Sequence, residues 1–116
     1  SQKEPSYTFD IKDGYTCIVE VEAITKVDSI GDSSLSIGDV CMVQAKYIVD
    51  NNSGVISTKK VGSDTSTALG LTTLSLATSI STDPSNKTAT IFITATNLGT
   101  NGGALGSVKA NFTWIK

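Results

Sequence analysis

At 116 residues the chain has room for one domain around one core. Its net charge of −2, with no basic run longer than Lys59-Lys60, argues against nucleic acid and anionic membrane, both of which call for clustered Lys or Arg. No stretch approaches the ~20 apolar residues of a membrane span, and the lack of histidine removes the commonest general base and a leading metal ligand.

Residues 1–6 read as a polar linker, and a chain beginning at Ser1 reads as a piece of a longer polypeptide without a signal peptide. The first strand is expected over Tyr7–Ile11, followed by a turn at Lys12-Asp13-Gly14. The second, Tyr15–Val27, alternates strictly: Tyr15, Cys17, Val19, Val21 and Ala23 fall on one face and Thr16, Glu20 and Glu22 on the other. Its length predicts a bulge or bend.

A polar loop over Asp28–Asp39 repeats Ser29-Ile30-Gly31-Asp32 as Ser36-Ile37-Gly38-Asp39. Strand three is expected over Val40–Val49 with Cys41, Val43, Ala45, Tyr47 and Val49 in phase, turning at Asp50-Asn51-Asn52-Ser53-Gly54 into strand four, Val55–Gly62. Ser63–Thr73 reads as a crossing between sheets. Strand five (Leu74–Ser81), a turn at Asp83–Lys87, strand six (Thr88–Leu98), a loop tip at Gly99–Gly103 and a last strand (Leu105–Lys116) complete the chain. In that last strand Val108, Ala110, Phe112 and Trp114 are in phase and expected inside. The pattern predicts an all-β fold: an antiparallel two-sheet β-sandwich, jelly-roll or Ig-like, of about seven to eight strands filling residues 7–116.

Several strands carry large apolar residues on the opposite parity: Ile18 and Ile24, Met42 and Ile48, Phe92, and Ile115. A sheet with one wet face would show polar residues there. Scattered exposed hydrophobes or parity-swapping bulges explain such residues equally well. The sharper expectation is a subunit interface using Ile18, Met42, Ile48, Phe92 and Ile115, with further copies of the chain as partners.

Chemistry is thinly marked. No histidine serves any serine, no G-x-S-x-G elbow is present, and two cysteines cannot close a zinc site. Cys17 and Cys41 share the apolar parity of neighbouring strands, as buried thiols or a bridged pair. Glu20 and Glu22 lie roughly 6–7 Å apart by strand rise, a spacing that suits glycoside chemistry but is routine on a wet face. Asp28, Asp32 and Asp39 are the weak calcium candidates, in a loop without EF-hand spacing. Sugar recognition favours exposed aromatic platforms, and most of the few aromatics here fall on core parity, so Asn51, Asn52, Asn97 and Asn101 are the remaining polar loop groups. Sequons occur at Asn51, Asn86 and Asn111, the first two in turns.

The order of features nonetheless resembles a known family. A Tyr-led strand, Tyr15-Thr16-Cys17-Ile18-Val19-Glu20-Val21, precedes a polar loop. Then come Ala45-Lys46-Tyr47, the turn Asn51-Asn52-Ser53-Gly54 and a strand ending Val61-Gly62. A Ser/Thr-rich segment leads to Ala89-Thr90-Ile91-Phe92-Ile93-Thr94-Ala95-Thr96, a Gly-rich loop and Val108-Lys109-Ala110. From about Tyr7 to Lys116 this resembles the small β-sandwich modules of phage tail fibres and tailspikes, and similar modules of large-virus surface proteins.

The resemblance implies a virion-associated structural or receptor-binding module on a virion surface or tail appendage, often trimeric and extracellular when acting. It brings no cofactor and no fixed catalytic residues. The expectation is therefore a non-enzymatic module that joins subunits and touches host-surface polysaccharide. A carbohydrate-binding accessory domain of a cell-wall-degrading protein is the alternative, and a polysaccharide-cleaving enzyme built on Glu20 and Glu22 is the third.

Overall fold

The computed structural model describes residues 6–31, 35–70, 72–96 and 102–116. Among them lie eight strands and no helix: β1 (Ser6–Asp10), β2 (Thr16–Ser29), β3 (Val40–Asn52), β4 (Val55–Lys60), β5 (Thr65–Leu69), β6 (Ser75–Asp83), β7 (Thr88–Thr96) and β8 (Gly103–Ile115). All pairings are antiparallel. One sheet has the order β1-β7-β6; the other has the order β4-β3-β2-β8, with β5 also pairing β3 beyond the end of β4. The chain is thus a two-sheet β-sandwich.

Period-two alternation supplies the core. On β2 the row Cys17, Val19, Val21 and Ala23 is buried; on β3 the buried row is Cys41, Val43, Tyr47 and Val49. Ala89, Ile91 and Ile93 of β7 close on them from the other sheet, with Leu74 and Leu76 beside them. Nothing polar inside is left without a partner among the described side chains. Burying these aliphatic side chains contributes roughly 1.5–3 kcal/mol each before chain entropy is counted.

Turns set the register. Ser53 and Gly54 both take positive φ (53° and 90°), as a two-residue primed hairpin turn requires, and Asn52 pairs with Val55 across it. Asn51 is fully buried behind that turn. Its side-chain oxygen accepts the Gly54 N–H at 2.9 Å, and its amide donates to the Ile11 carbonyl at 2.8 Å. The β6–β7 turn rests on Asp83, whose carboxylate accepts from the backbone N–H groups of Ser85 and Asn86 and from the Asn86 side chain.

Two expectations need correction. Ser63–Thr73 does not simply cross between sheets: Thr65–Leu69 forms β5 against Val40–Gln44 of β3, and the crossing follows it. Ser6 belongs to β1 rather than to a linker, because it pairs with Phe92. The bulge expected in the long β2 is present at its far end, where the register with β8 shifts between Val27 and Ser29. Of the two readings of the cysteines, buried thiols hold: Cys17 and Cys41 cannot bridge within one chain. Cys17 sits opposite Val49 and Cys41 opposite Thr25, which separates them by about 27 Å of strand. Both are free and buried; burial pushes the Cys17 thiol up to about 11, so it stays protonated at neutral pH.

Candidate functional site: an aromatic cleft at one end of the sandwich

A chain of rings runs out of the core along β1 and β8. Phe9 meets Phe112 edge-on with centroids 4.9 Å apart, Tyr7 lies 5.9 Å from Phe112, and Phe112 stacks on Trp114 at 5.8 Å. Tyr15 then meets Trp114 edge-on at 6.3 Å, with the Lys116 ammonium 5.8 Å from the Tyr15 ring centre. Trp114 has core parity but is 42% exposed, contrary to the expected inside placement. The reason is geometric. Among the described residues β8 pairs only with β2, and β1 of the opposite sheet ends at Asp10. The inward side of β8 therefore outruns its cover, and Trp114 opens onto a cleft of about 440 Å³ lined by Asp10, Lys12, Tyr15 and Trp114.

This cleft combines two aromatic rings with one carboxylate and one ammonium group, and the Lys116 ammonium lies by the Tyr15 ring. Flat π faces suit the C–H side of a pyranose ring, and the charged groups at the rim suit its hydroxyls. Its position is rigid: Trp114 sits opposite Cys17 of β2, and Tyr15 is pinned by backbone bonds, its N–H donating to Lys12 and its carbonyl accepting from Asn51. The sequence reading missed this site because β8 and β2 are partners far apart in the chain. The legible signal was the placement of both rings at strand ends, Tyr15 just after a glycine turn and Trp114 near the end of the last strand.

The outer face of the larger sheet carries the other expected residues, and it is banded. Ile18 pairs with Ile48; Glu20 follows, opposite Lys46 and Asn111; Glu22 sits opposite Gln44 and Lys109; Ile24 then pairs with Met42. Glu20 and Glu22 thus lie on one polar strip with Gln44, whose amide donates to Glu22 at 3.2 Å. The strip forms a groove of about 270 Å³ where β4 gives way to β5, lined also by Lys46, Val61, Ser63, Thr65 and Asn111. It has no aromatic platform.

Of the five expected interface residues, Ile18, Met42 and Ile48 share this face, and Ile115 lies at its β8 margin opposite Thr16. Phe92 does not join them. It stands on the outer face of the smaller sheet, opposite Ser6 and Ser79, in a row of Thr88, Thr90, Thr94 and Thr96.

Of the calcium candidates, Asp28 and Asp39 lie among the described residues. Asp39 is occupied by turn chemistry, accepting from the Ser36 N–H and the Thr72 hydroxyl, each at 2.9 Å. Asp28 lies exposed on β2, and Asp32 lies outside the described residues, as do Asn97 and Asn101. Among the described residues no group of three or more His, Cys, Asp or Glu could hold a metal ion. The sequon at Asn51 is closed, since that amide is buried and hydrogen-bonded on both sides; Asn86 and Asn111 are exposed.

One further cluster ties the two sheets together. Asp64, between β4 and β5, accepts from the Thr78 N–H (3.0 Å), the Thr78 hydroxyl and the Lys60 ammonium (3.0 Å). Lys60 also donates to the Thr78 carbonyl at 2.9 Å. With the single Thr78 proton directed at Asp64, the Tyr47 hydroxyl donates to Thr78 across 2.6 Å. Desolvation pushes the Asp64 carboxyl up, but the Thr78 and Lys60 bonds outweigh it and hold the carboxyl below its ordinary value. Burial opposes the charge on Lys60, and Asp64 with Tyr47 overcomes it, so the ammonium titrates higher than an ordinary lysine. The cluster clamps β3 and β4 to β6, a structural role.

Compared with family models, curated proteins and solved structures, the chain finds no match.

Proposed function

We propose that this β-sandwich is a non-catalytic module of a viral tail fibre, spike or surface protein, which assembles with further copies and contacts a saccharide at the Tyr15–Trp114 cleft. The exposed Trp114 beside Tyr15, Asp10 and Lys12 carries the ligand half of this reading. A large indole left in water at a fixed strand end is the kind of platform sugar recognition uses. The virion setting is supported by the order of strands and turns that resembles tail-fibre modules. The third reading, an enzyme acting through Glu20 and Glu22, gains least, because those carboxylates lie along an open polar strip without a ring to stack a sugar.

A glycan array tests the reading. Arms carrying host-surface glycans separate the proposed setting from the alternative, an accessory domain of a cell-wall-degrading protein, which would prefer cell-wall polysaccharide. Binding is expected to weaken tenfold or more in Trp114→Ala and to survive Glu20→Gln; tenfold corresponds to about 1.4 kcal/mol. Binding unmoved by Trp114→Ala, or polysaccharide cleavage abolished by Glu20→Gln, overturns it.

A further inference from the structure

We propose that two copies of this chain pair edge to edge through β8, antiparallel about a two-fold axis at Ala110, so that the two larger sheets become one continuous sheet. The inference deepens the assembly half of the reading above and does not depend on the saccharide.

The first observation is an unguarded edge. Exposed strand edges offer unpaired N–H and C=O groups and are normally blunted by shortness, proline, bulges or charge. The other margins are blunted here: β1 has five residues, β4 is six residues long and ends in Lys59-Lys60 with the five-residue β5 beyond it, and on β6 the backbone of Leu76 and Thr78 is engaged by the side chains of Ser66, Asp64 and Lys60. β8 is different. It runs thirteen residues from Gly103 to Ile115 without proline, and Lys109 is its one charged residue. Among the described residues it pairs only with β2, and its register shift lies at the Gly103 end, leaving the rest straight against β2.

The second observation is that the strand is complementary to itself in one register. Antiparallel pairing about Ala110 joins residues whose numbers are equally far from it. On the inward row, Val108 then meets the partner's Phe112, and Gly106 meets the partner's Trp114, leaving room for the indole. On the outward row, Lys109 meets the partner's Asn111, Ser107 the partner's Thr113, and Leu105 the partner's Ile115. Leu105 and Ile115 are 66% and 68% exposed in one copy and cover each other in the pair. Neighbouring registers of the same parity are poorer: centring on Lys109 sets that ammonium against its own copy, and centring on Asn111 sets Ser107 against Ile115. Like charges directly opposite destabilise a sheet, whereas matched apolar pairs favour it. Charge and size thus both select the Ala110 register. Pairing also extends the half-buried inward row of Val108, Ala110 and Phe112 with a second copy's row.

Sedimentation of the 116-residue chain at tens of micromolar tests this. A dimer is expected, and Asn111→Lys should raise its dissociation constant tenfold or more by placing like charges across the axis twice. Within one copy that substitution sets a lysine opposite Glu20, so the fold is retained, which a far-ultraviolet spectrum checks. Ala110→Cys should oxidise to a covalent dimer, with the position facing itself, whereas Ser107→Cys should not; Cys17 and Cys41 are buried and do not compete. A monomer, a trimer, an unchanged constant in Asn111→Lys, or equal cross-linking at both positions overturns the proposal. Asn111 lies outside the aromatic cleft, but the pairing lays Trp114 against the partner's Gly106, so the saccharide reading is tested separately, by comparing glycan binding of the Asn111→Lys monomer with and without Trp114→Ala.

Discussion

β2 and β8 are neighbours with the same alternation and opposite fates. Val19 faces Phe112 across the pairing and Val21 faces Ala110, yet the β2 residues are fully buried while those of β8 are half-exposed. The difference is position in the sheet. β2 has a partner on each side; among the described residues β8 has one, and β1 of the opposite sheet ends at Asp10. Alternation assigns a residue to a face, and depth on that face is then decided by how many strands lie beyond it. Structure comes from the centre of this sandwich, whereas the surfaces proposed for binding lie at its margin.

The sharpest way to break this contrast is truncation at the two depths. Ile91→Ala, in the middle strand of the smaller sheet, should cost roughly 2–5 kcal/mol in a denaturant titration through lost burial and the cavity left behind. Trp114→Ala removes a larger side chain but from a half-wet margin, and should cost only about 1 kcal/mol. Equal losses would mean that Trp114 is packed as deeply as the core.

Asn51→Ala probes the end of the centre. It leaves the Ile11 carbonyl and the Gly54 N–H without their side-chain partner, at about 1–3 kcal/mol for each buried group left unsatisfied. Because the Ile11 carbonyl bond is buried and the Gly54 one only partly so, a loss of roughly 2–4 kcal/mol is expected, with the β3–β4 hairpin amides exchanging first in hydrogen-exchange measurements.

The Asp64 clamp gives the pH dependence. Its carboxyl is held below the ordinary 3.8 in the folded chain. Its contribution is therefore complete above that value and is lost as pH falls below it through the lowered folded value. Lys60 has the opposite sign: raised above 10.5, it stabilises below that value and the contribution goes as pH rises through the raised one. Asp64→Asn should cost roughly 2 kcal/mol at neutral pH and flatten the acid limb of a stability–pH curve; an unchanged acid limb would remove Asp64 as the clamp.

What could be read in advance follows the same division. The core rows of β2, β3 and β7 were legible because local periodicity states them. So was the Ser53-Gly54 hairpin, because its residues are those that tolerate positive φ. β5 was not legible. Thr65–Leu69 looks like any Ser/Thr-rich crossing, and it becomes a strand only because β4 stops at Lys60 and leaves Val40–Gln44 of β3 open. Trp114 was misplaced for a related reason: its parity was right, but coverage depends on where β1 ends, which β8 does not encode. The separation of Cys17 from Cys41 likewise needed the hairpin register, which parity alone leaves open.

The smallest expected effect concerns the two faces of a single strand. Ile18 and Ile48 are directly opposed on the outer face of the larger sheet, each 40% exposed, while Val19 and Tyr47 beside them are opposed inside. In an isolated copy, a double-mutant cycle with Ile18→Thr and Ile48→Thr should give a coupling of about 0.2–1 kcal/mol, the usual worth of an exposed cross-strand pair. Measured at a concentration where Asn111→Lys keeps the chain monomeric, that value reports the pair alone. The same cycle in the assembled protein separates two kinds of margin. If copies meet only along β8, the Ile18–Ile48 coupling stays unchanged, because that band lies a strand away from the axis. If it rises well beyond 1 kcal/mol, the band is covered in the assembly and a second contact involves the Ile18 face.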